Sequence, residues 1–260
     1  MIISSATNER IKNAVALRSR RQRARTGLIL VEGETEISRA LAAGLAPESL
    51  FVPVGSHPRL SSACRRLGGT VVEVEGPALD RLAVRGASSP VMVAERAPTG
   101  LDALPTPGEQ SALYLVVEAI EKPGNLGAMI RTADGAGIDG LVVADPTVDP
   151  FGPNVIRASL GSVFSMPTAV ATSSDTIDWL QRRHVTIVVT TPGATVEWTQ
   201  ADLTGSVACV IGAEHQGLSA AWLEVADQSV FLPMHGVGDS LNAAATAAII
   251  LYEAVRQRSR

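Results

Sequence analysis

Three loop segments in the C-terminal half of the chain decide its fold class: EKPGNLGAMIRTA (residues 121–133), IGAEHQGLS (211–219) and LPMHGVGDSLNAAA (232–245). Each segment follows an apolar run typical of a β-strand and leads into a run typical of a helix. Each also carries glycines beside polar side chains. Loops at the carboxyl ends of parallel strands are where open α/β folds build binding sites. We therefore expect these three loops to form one composite pocket.

The sequence around these loops alternates between strand-like and helix-like runs. Apolar strands are predicted at residues 113–117, 141–144, 185–190, 207–211 and 230–232. Helices are predicted between and after them, at residues 126–136, 153–164, 174–183, 219–225 and 241–257. Nearly continuous apolar strands that are separated by helices imply a parallel sheet buried on both faces.

A proline-rich segment divides the chain. Residues 97–110 (APTGLDALPTPGEQ) hold three prolines and two glycines without a sustained period, which predicts a linker. Before this segment, strands at 28–31, 50–54, 70–74 and 91–94 alternate with helices at 34–43 and 78–84. We predict a smaller α/β domain at residues 1–96, the linker at 97–110 and a larger domain at 111–260.

The composition narrows the class of protein. Hydrophobic residues make up 46% of the chain but aromatic residues only 3%, which predicts a core built from Val, Leu, Ile and Ala. Cys64 and Cys209 have no CxxC partner and the four histidines lack metal-ligand spacing, so no metal site is predicted. The sequence shows no signal-type or transmembrane-length apolar run, so we expect a soluble cytoplasmic protein without membrane association.

Charge is distributed unevenly along the chain. Residues 1–110 carry 14 basic and 11 acidic side chains, whereas residues 111–260 carry 8 basic and 15 acidic ones. The first 25 residues hold seven basic groups against one acid, Glu9. A basic arm on an acidic protein suggests contact with a polyanion, and a solvated helix face is the alternative of equal weight. Six of these seven groups are arginines, whose planar guanidinium suits phosphates and bases.

A glycine pattern at residues 135–140 (GAGIDG) matches the GxGxxG fingerprint of dinucleotide-binding folds. That fingerprint requires a strand before it and a helix after it. Here a predicted helix precedes the glycines and the predicted strand 141–144 follows them, so we expect them to cap a helix. The pattern therefore gives no support to a Rossmann dehydrogenase.

Polar residues in the first two loops are candidate site residues. Asn125 can cap the following helix. Arg131 lies one turn beyond two small residues, and it either points into the pocket or pairs with Asp134 on a solvated surface. Glu214 directly follows a buried strand and is either a charge at a helix N-terminus or an acid of the site.

The third loop adds a second group of candidates. Asp239 or Ser240 can cap the last helix. Capping alone does not account for the additional presence of Asn242 and of several loop residues with unpaired backbone amides. The loop is therefore predicted to bind a ligand as well as to begin a helix.

At these residues the chain resembles the SpoU (TrmH-type) family of RNA ribose 2′-O-methyltransferases, within the SPOUT superfamily. The resemblance covers nearly all of residues 111–258 and rests on three motifs in the family's order. It implies a C-terminal α/β domain with a SPOUT-type parallel sheet and a deep trefoil knot. Residues 1–96 are similar to the smaller, ribosomal-protein-like α/β domain with which many members bind their substrate.

The resemblance also implies a cofactor, a partner and a set of site residues. The cofactor is S-adenosyl-L-methionine, the substrate is RNA, and the active site is completed at the interface of a homodimer. The family's catalytic positions fall on Asn125, Arg131, Glu214, Ser240 and Asn242. Its cofactor-binding positions fall on Thr190, Gly212, Leu232, Met234 and Leu241. The basic arm then becomes an RNA-binding segment, with Arg18, Arg20, Arg21, Arg23 and Arg25 as candidate contacts.

The predicted reaction transfers a methyl group from a sulfonium to a ribose 2′-hydroxyl. A guanidinium is effectively always protonated, so Arg131 is not expected to act as a general base. We expect it to bind the target phosphate and to stabilise the developing alkoxide. The favoured substrate is ribosomal RNA, in maturation or antibiotic resistance. A transfer RNA substrate, and a non-catalytic RNA-binding assembly factor of the same fold, remain as alternatives.

Overall fold

The protein is described by a computed structural model in which residues 2–84, 86, 89–106, 108 and 111–259 are placed. The chain forms two compact units, one from residues 1–97 with 149–165, and the other from 98–148 with 166–260. Three residues of the predicted linker, at positions 107, 109 and 110, lie outside the described residues. The grouping of 149–165 with the first unit was not predicted from the sequence.

Within its described residues, the first unit contains a five-stranded mixed sheet. Its strands are β1 (Ile2–Ile3), β2 (Leu28–Glu32), β3 (Pro47–Pro53), β4 (Thr70–Val74) and β5 (Val91–Glu95). Its first helices are α1 (Glu9–Ala16), α2 (Arg20–Thr26), α3 (Glu34–Ala42), α4 (Pro58–Arg66) and α5 (Gly76–Leu82). The strand order is β1-β4-β3-β5-β2, and only β5 runs antiparallel to its neighbours.

The predicted basic arm is folded into α1 and α2. Helix α1 begins after Asn8, whose side chain accepts a hydrogen bond from the Arg10 backbone N–H, and it buries Ile11 and Ala14. Helix α2 has the sequence RRQRART, which lacks an apolar stripe. The sequence of α2 therefore lacks an apolar helical period, because its buried residue is an arginine.

That arginine is Arg23, whose guanidinium is almost completely buried. Its Nε lies 2.7 Å from Oδ2 of Asp149, and its Nη1 donates to the backbone carbonyls of Leu17 and Arg18 at 2.8 and 2.9 Å. The ion pair joins α2 to the start of residues 149–165 and helps to hold that segment within the first unit.

The second unit contains the longer sheet. Its strands are β6 (Leu113–Glu118), β7 (Gly140–Ala144), β8 (Thr168–Ala171), β9 (Thr186–Thr190), β10 (Val196–Glu197), β11 (Val207–Ile211) and β12 (Gln228–Phe231). Its helices are α6 (Pro123–Ala136), α8 (Ser173–Gln181), α9 (Ala220–Val225) and α10 (Ala243–Arg258), whereas α7 (Pro153–Ala158) belongs to the first unit. The strand order among the described residues is β10-β12-β9-β11-β6-β7-β8, and every pair is parallel.

This parallel sheet confirms the predicted α/β fold. The central strands β6, β7 and β11 are buried along their whole length, as their continuous apolar sequences predicted. Gly137 ends α6 in a left-handed conformation, with φ of 64°, so the GxGxxG pattern is a helix cap as predicted. The trefoil knot stays a prediction of the resemblance.

The core of the second unit is mostly aliphatic, but it also uses the chain's few aromatic residues. Trp179, Trp222 and Tyr114 are among the largest fully buried side chains. The rings of Tyr114 and Trp179 meet edge to face, with centroids 5.3 Å apart. Among the described residues, no helix combines the length and apolar character needed to cross a bilayer.

Candidate functional site

The second and third loop segments form a pocket at the carboxyl edge of the parallel sheet, together with the loop that follows β9. The pocket has a volume of about 750 Å³. It is lined by all five residues predicted to bind a cofactor, Thr190, Gly212, Leu232, Met234 and Leu241. Three of the predicted catalytic residues also line it, namely Glu214, Ser240 and Asn242, and the first loop contributes Lys122.

The second loop folds back on itself around Gly212. Ala213 and Gly217 exchange two backbone hydrogen bonds of 3.2 and 3.0 Å, and Gly217 adopts a left-handed conformation with φ of 68°. A Cβ atom on Gly212 would lie 2.3 Å from the carbonyl carbon of Gly217. Only glycine fits at position 212, because the opposing strand of the turn is backbone that cannot move aside.

A buried carboxylate holds the end of this loop. Glu118 ends β6 and is 5% exposed; its Oε2 accepts a hydrogen bond of 2.8 Å from the Ser219 backbone N–H. Its Oε1 accepts one of 3.0 Å from the Ser173 hydroxyl, which in turn accepts one of 2.9 Å from Nε1 of Trp222. Glu118 was not among the predicted site residues, although an acid that ends an apolar strand next to a glycine-rich loop could have indicated it.

A chain of side-chain hydrogen bonds joins the three loops. Asn125 donates a short hydrogen bond from Nδ2 to Oε1 of Glu214, and its Oδ1 accepts one of 3.1 Å from Nδ2 of Asn242. The Oδ1 of Asn242 then accepts a hydrogen bond of 2.9 Å from the Ala244 backbone N–H. An ionised carboxylate only accepts, so it orients both amides along this chain. Asn125 is linked to the pocket through its hydrogen bonds to Glu214 and Asn242.

Glu214 is held in its ionised form by its surroundings. Burial by itself raises the pKa of this carboxyl. Hydrogen bonds from its own backbone N–H, from Asn125 and from the backbone N–H of Glu121 lower the pKa. The nearby Lys122 ammonium lowers it further, and the pKa of Glu214 therefore lies below its ordinary value.

The structure corrects two predicted helix caps. Helix α6 begins at Pro123 with Lys122 as its N-cap, so Asn125 lies inside the first turn and its side chain is free to bind Glu214. Helix α10 begins at Ala243 and is capped by Asn242, not by the predicted Asp239 or Ser240. In both cases the asparagine amide bonds to a residue of another loop. Rules for helix caps consider only neighbours in the sequence, so they do not include such a partner.

Arg131 does not reach this pocket within one chain. It is exposed on α6 and is absent from the residues that line the pocket. Among the described residues it makes no hydrogen bond, and no salt bridge joins it to Asp134, the surface alternative weighed from the sequence. The structure thus brings together four of the five predicted catalytic residues and leaves Arg131 outside.

The five predicted RNA-contacting arginines have different environments. The prediction is wrong for Arg23, because its buried guanidinium is engaged by Asp149 and two carbonyls. Arg18 is exposed, but its Nη2 donates to the backbone carbonyls of Arg81 and Leu82. The other three, which remain exposed, are Arg20, Arg21 and Arg25.

The fold and the pocket together define an α/β protein that binds a small molecule at the carboxyl edge of a parallel sheet. The chain belongs to the SpoU rRNA methylase family, whose model matches residues 112–252. A second model, the MRM3-like substrate binding domain, matches residues 8–93. The family assignment made from the three motifs is therefore confirmed.

Individual relatives are similar over almost the whole chain. The 23S rRNA (uridine(2479)-2′-O)-methyltransferase of Streptomyces viridochromogenes is 34% identical, covering 93% of this chain and 87% of the relative. The 23S rRNA (guanosine(2553)-2′-O)-methyltransferase RlmP of Bacillus subtilis (strain 168) is 31% identical, covering 96% and 97%. The crystal structure of an AdoMet-bound rRNA methyltransferase from Sinorhizobium meliloti matches with a TM-score of 0.90 and 31% identity, covering 98% and 97%.

Proposed function

We propose that this protein is an S-adenosylmethionine-dependent methyltransferase that modifies a ribose 2′-hydroxyl of 23S ribosomal RNA. The observation that carries the proposal is the hydrogen-bonded chain Glu214–Asn125–Asn242, which ties the three motif loops together beside one pocket. Full-length relatives named as 23S rRNA 2′-O-methyltransferases support ribosomal RNA over transfer RNA as the substrate. Acting on ribosomal RNA, the protein would work in the cytoplasm.

The pocket fits the proposed cofactor. Its volume of about 750 Å³ lies within the usual range for small-molecule sites. The missing side chain at Gly212 lets the loop fold tightly against the Gly217 backbone at the edge of the pocket. Leu232, Met234 and Leu241 offer apolar contacts. When bound, S-adenosylmethionine supplies an electrophilic methyl group on a sulfonium centre.

The chain's own residues would bind and orient the reacting groups. The ionised Glu214 keeps the Asn125 amide in one orientation, and Asn242 fixes the third loop by capping α10. Ser240, which lines the pocket beside them, presents a hydroxyl that can hold a ribose oxygen. Arg131 would neutralise charge on the target phosphate and on the developing alkoxide, an effect that commonly contributes about 3–4 kcal/mol per positioned donor.

We propose further that the active site is completed in a homodimer, with Arg131 of one protomer serving the pocket of the other. The exposure of Arg131 and its absence from the lining of its own pocket support this arrangement. A mixed dimer of an Arg131→Ala protomer and a Gly212→Ala protomer tests it. Such a dimer keeps one intact pocket facing one intact arginine, so methyl transfer should be partly restored. Mixed dimers as inactive as both parents would rule out a shared site.

The substrate is tested by methyl transfer from radiolabelled cofactor to separate pools of unmodified ribosomal and transfer RNA. We expect label in 23S rRNA, at a ribose that resists alkaline cleavage on its 3′ side. Label in transfer RNA alone would favour the transfer RNA alternative. Failure to bind cofactor in a calorimetric titration would favour the non-catalytic assembly factor and would refute the proposed function.

A further inference from the structure

The first unit contains a cleft that none of the features above explains. Its volume is about 490 Å³, and it lies between α1, α2 and one face of the mixed sheet. Thr70, Ser49 and Val93 are register neighbours on β4, β3 and β5, and they form a row across its floor. Phe51 lies on the same face, two residues beyond Ser49.

The walls of the cleft are two helix faces. On α1 the lining residues recur with helical spacing, with Arg10 and Asn13 towards solvent and the apolar Ala14 and Leu17 towards the core. On α2 the lining residues have the same spacing, and they are Gln22, Arg25 and Thr26. Arg23 points away from the cleft into its buried ion pair with Asp149. One face of α2 therefore anchors the helix, and another face lines the cleft.

Five polar side chains of the cleft are available to a ligand, whereas Gln22, Arg25 and Thr26 make hydrogen bonds on α2. Among the described residues, the side chains of Arg10, Asn13, Glu48, Ser49 and Thr70 make no hydrogen bond within the protein, although all of them line the cleft. The lining therefore combines two guanidinium groups, those of Arg10 and Arg25, with a carboxylate, neutral amides and hydroxyls, and the apolar Val93 and Phe51 complete the floor.

We propose that this cleft binds one unstacked nucleotide of the RNA, distinct from the nucleotide that is methylated. Proteins read RNA sequence mainly from single-stranded bases that leave the stack and present their hydrogen-bonding edges. The arginines at the rim match a phosphate, while the amide of Asn13 and the carboxylate of Glu48 match the polar edge of a base. This inference rests on the proposed function only in taking RNA as the ligand.

The test measures binding of short fluorescein-labelled homopolymeric oligoribonucleotides (A, C, G or U) to the full chain by anisotropy at several salt concentrations. Asn13→Trp fills the cleft without changing its charge. It should weaken binding at least about tenfold and leave the salt dependence unchanged, because phosphate contacts are kept. Reversing both rim charges, Arg10→Glu with Arg25→Glu, should flatten the salt slope by about 1.4, or about 0.7 per lost phosphate contact.

Matched controls come from α4, which packs with α3 and shares no residue with the apolar cluster beneath α1 and α5. Ser62→Trp and Arg59→Glu make the same kinds of change on exposed positions there. They should leave binding within about twofold of the wild type. Glu48→Gln, which turns an acceptor into a group that can also donate, should change the preference among the four oligonucleotides.

The proposal is overturned if Asn13→Trp binds every oligonucleotide like the wild type, if the α4 controls weaken binding as much as the cleft variants, or if the wild type shows no preference among the four bases. Cofactor binding by each variant, measured separately, confirms that the second unit is intact. Because these experiments use binding alone, they can fail while methyl transfer succeeds, and the reverse also holds.

Discussion

The hydrogen-bonded chain Glu214–Asn125–Asn242 permits a quantitative test through Asn125→Asp. This substitution keeps the size of the side chain but replaces the donor that faces Glu214 with a second carboxylate. A hydrogen bond to a charged group contributes about 1.5–3 kcal/mol. Two like charges about 4 Å apart repel by about 1–4 kcal/mol, between bulk water and a protein surface. A combined loss of about 3 kcal/mol corresponds to roughly a hundredfold change in an equilibrium.

We therefore expect Asn125→Asp to lower kcat/KM for S-adenosylmethionine about a hundredfold, measured by methyl transfer to RNA with cofactor as the varied substrate. The compensating variant combines Asn125→Asp with Glu214→Gln. Its glutamine amide can donate to the new aspartate, and Asn242 can still donate to the same carboxylate. The pair should recover at least about tenfold of the loss, which a double-mutant cycle reports as coupling.

The reasoning is refuted if Asn125→Asp leaves kcat/KM within a few-fold of the wild type. It is equally refuted if the compensating pair is no better than the single variant. Unfolding by urea, followed for all four proteins, separates a local effect on the site from a general loss of stability.

Four further outcomes are expected. Gly212→Ala should weaken cofactor binding at least about tenfold by calorimetry, because its Cβ meets backbone at 2.3 Å; unchanged affinity would show that the loop can open. Arg23→Met should lower the free energy of unfolding by about 3–5 kcal/mol in urea, because it leaves the Asp149 carboxylate buried and unpaired, and a loss below about 1 kcal/mol would contradict the ion pair's role. Arg131→Ala should abolish methyl transfer and spare cofactor affinity, and a parallel fall in both would count against its role at the substrate. The lowered pKa of Glu214 contributes stability that is present above the pKa of an unfolded glutamate and lost as pH falls through the folded value, so Glu214→Gln should be less stable than the wild type at neutral pH but not in acid.

The second unit was largely predictable because its signals are local and repeated. Strands such as β11 and β6 are buried on both faces, so their apolar runs stand out without knowledge of their neighbours. The glycine-rich loops follow directly from those strands, and their convergence is a general property of parallel sheets. That property predicted a composite pocket, and the resemblance to the family's motifs then named the residues that line it.

The features that escaped prediction depend on contacts between residues distant in sequence. Arg23 reads as one of several surface arginines until Asp149, 126 residues later, is placed beside it. Asn125 and Asn242 look like alternative helix caps or loop residues until their mutual hydrogen bond is seen, 117 residues apart. Helix α2 likewise shows no apolar period in its sequence, because the group that it buries is the guanidinium of Arg23.

The grouping of residues 149–165 with the first unit has a consequence for biosynthesis. A protein whose N-terminal unit were continuous could complete that unit while the rest was still being translated. Here the partner of Arg23 and all of α7 emerge from the ribosome only after β6, α6 and β7 have been made. The N-terminal unit can therefore complete its fold only after residues 149–165 have been synthesised. Protection of this unit from proteolysis in nascent chains should rise only once residue 165 has left the ribosomal exit tunnel.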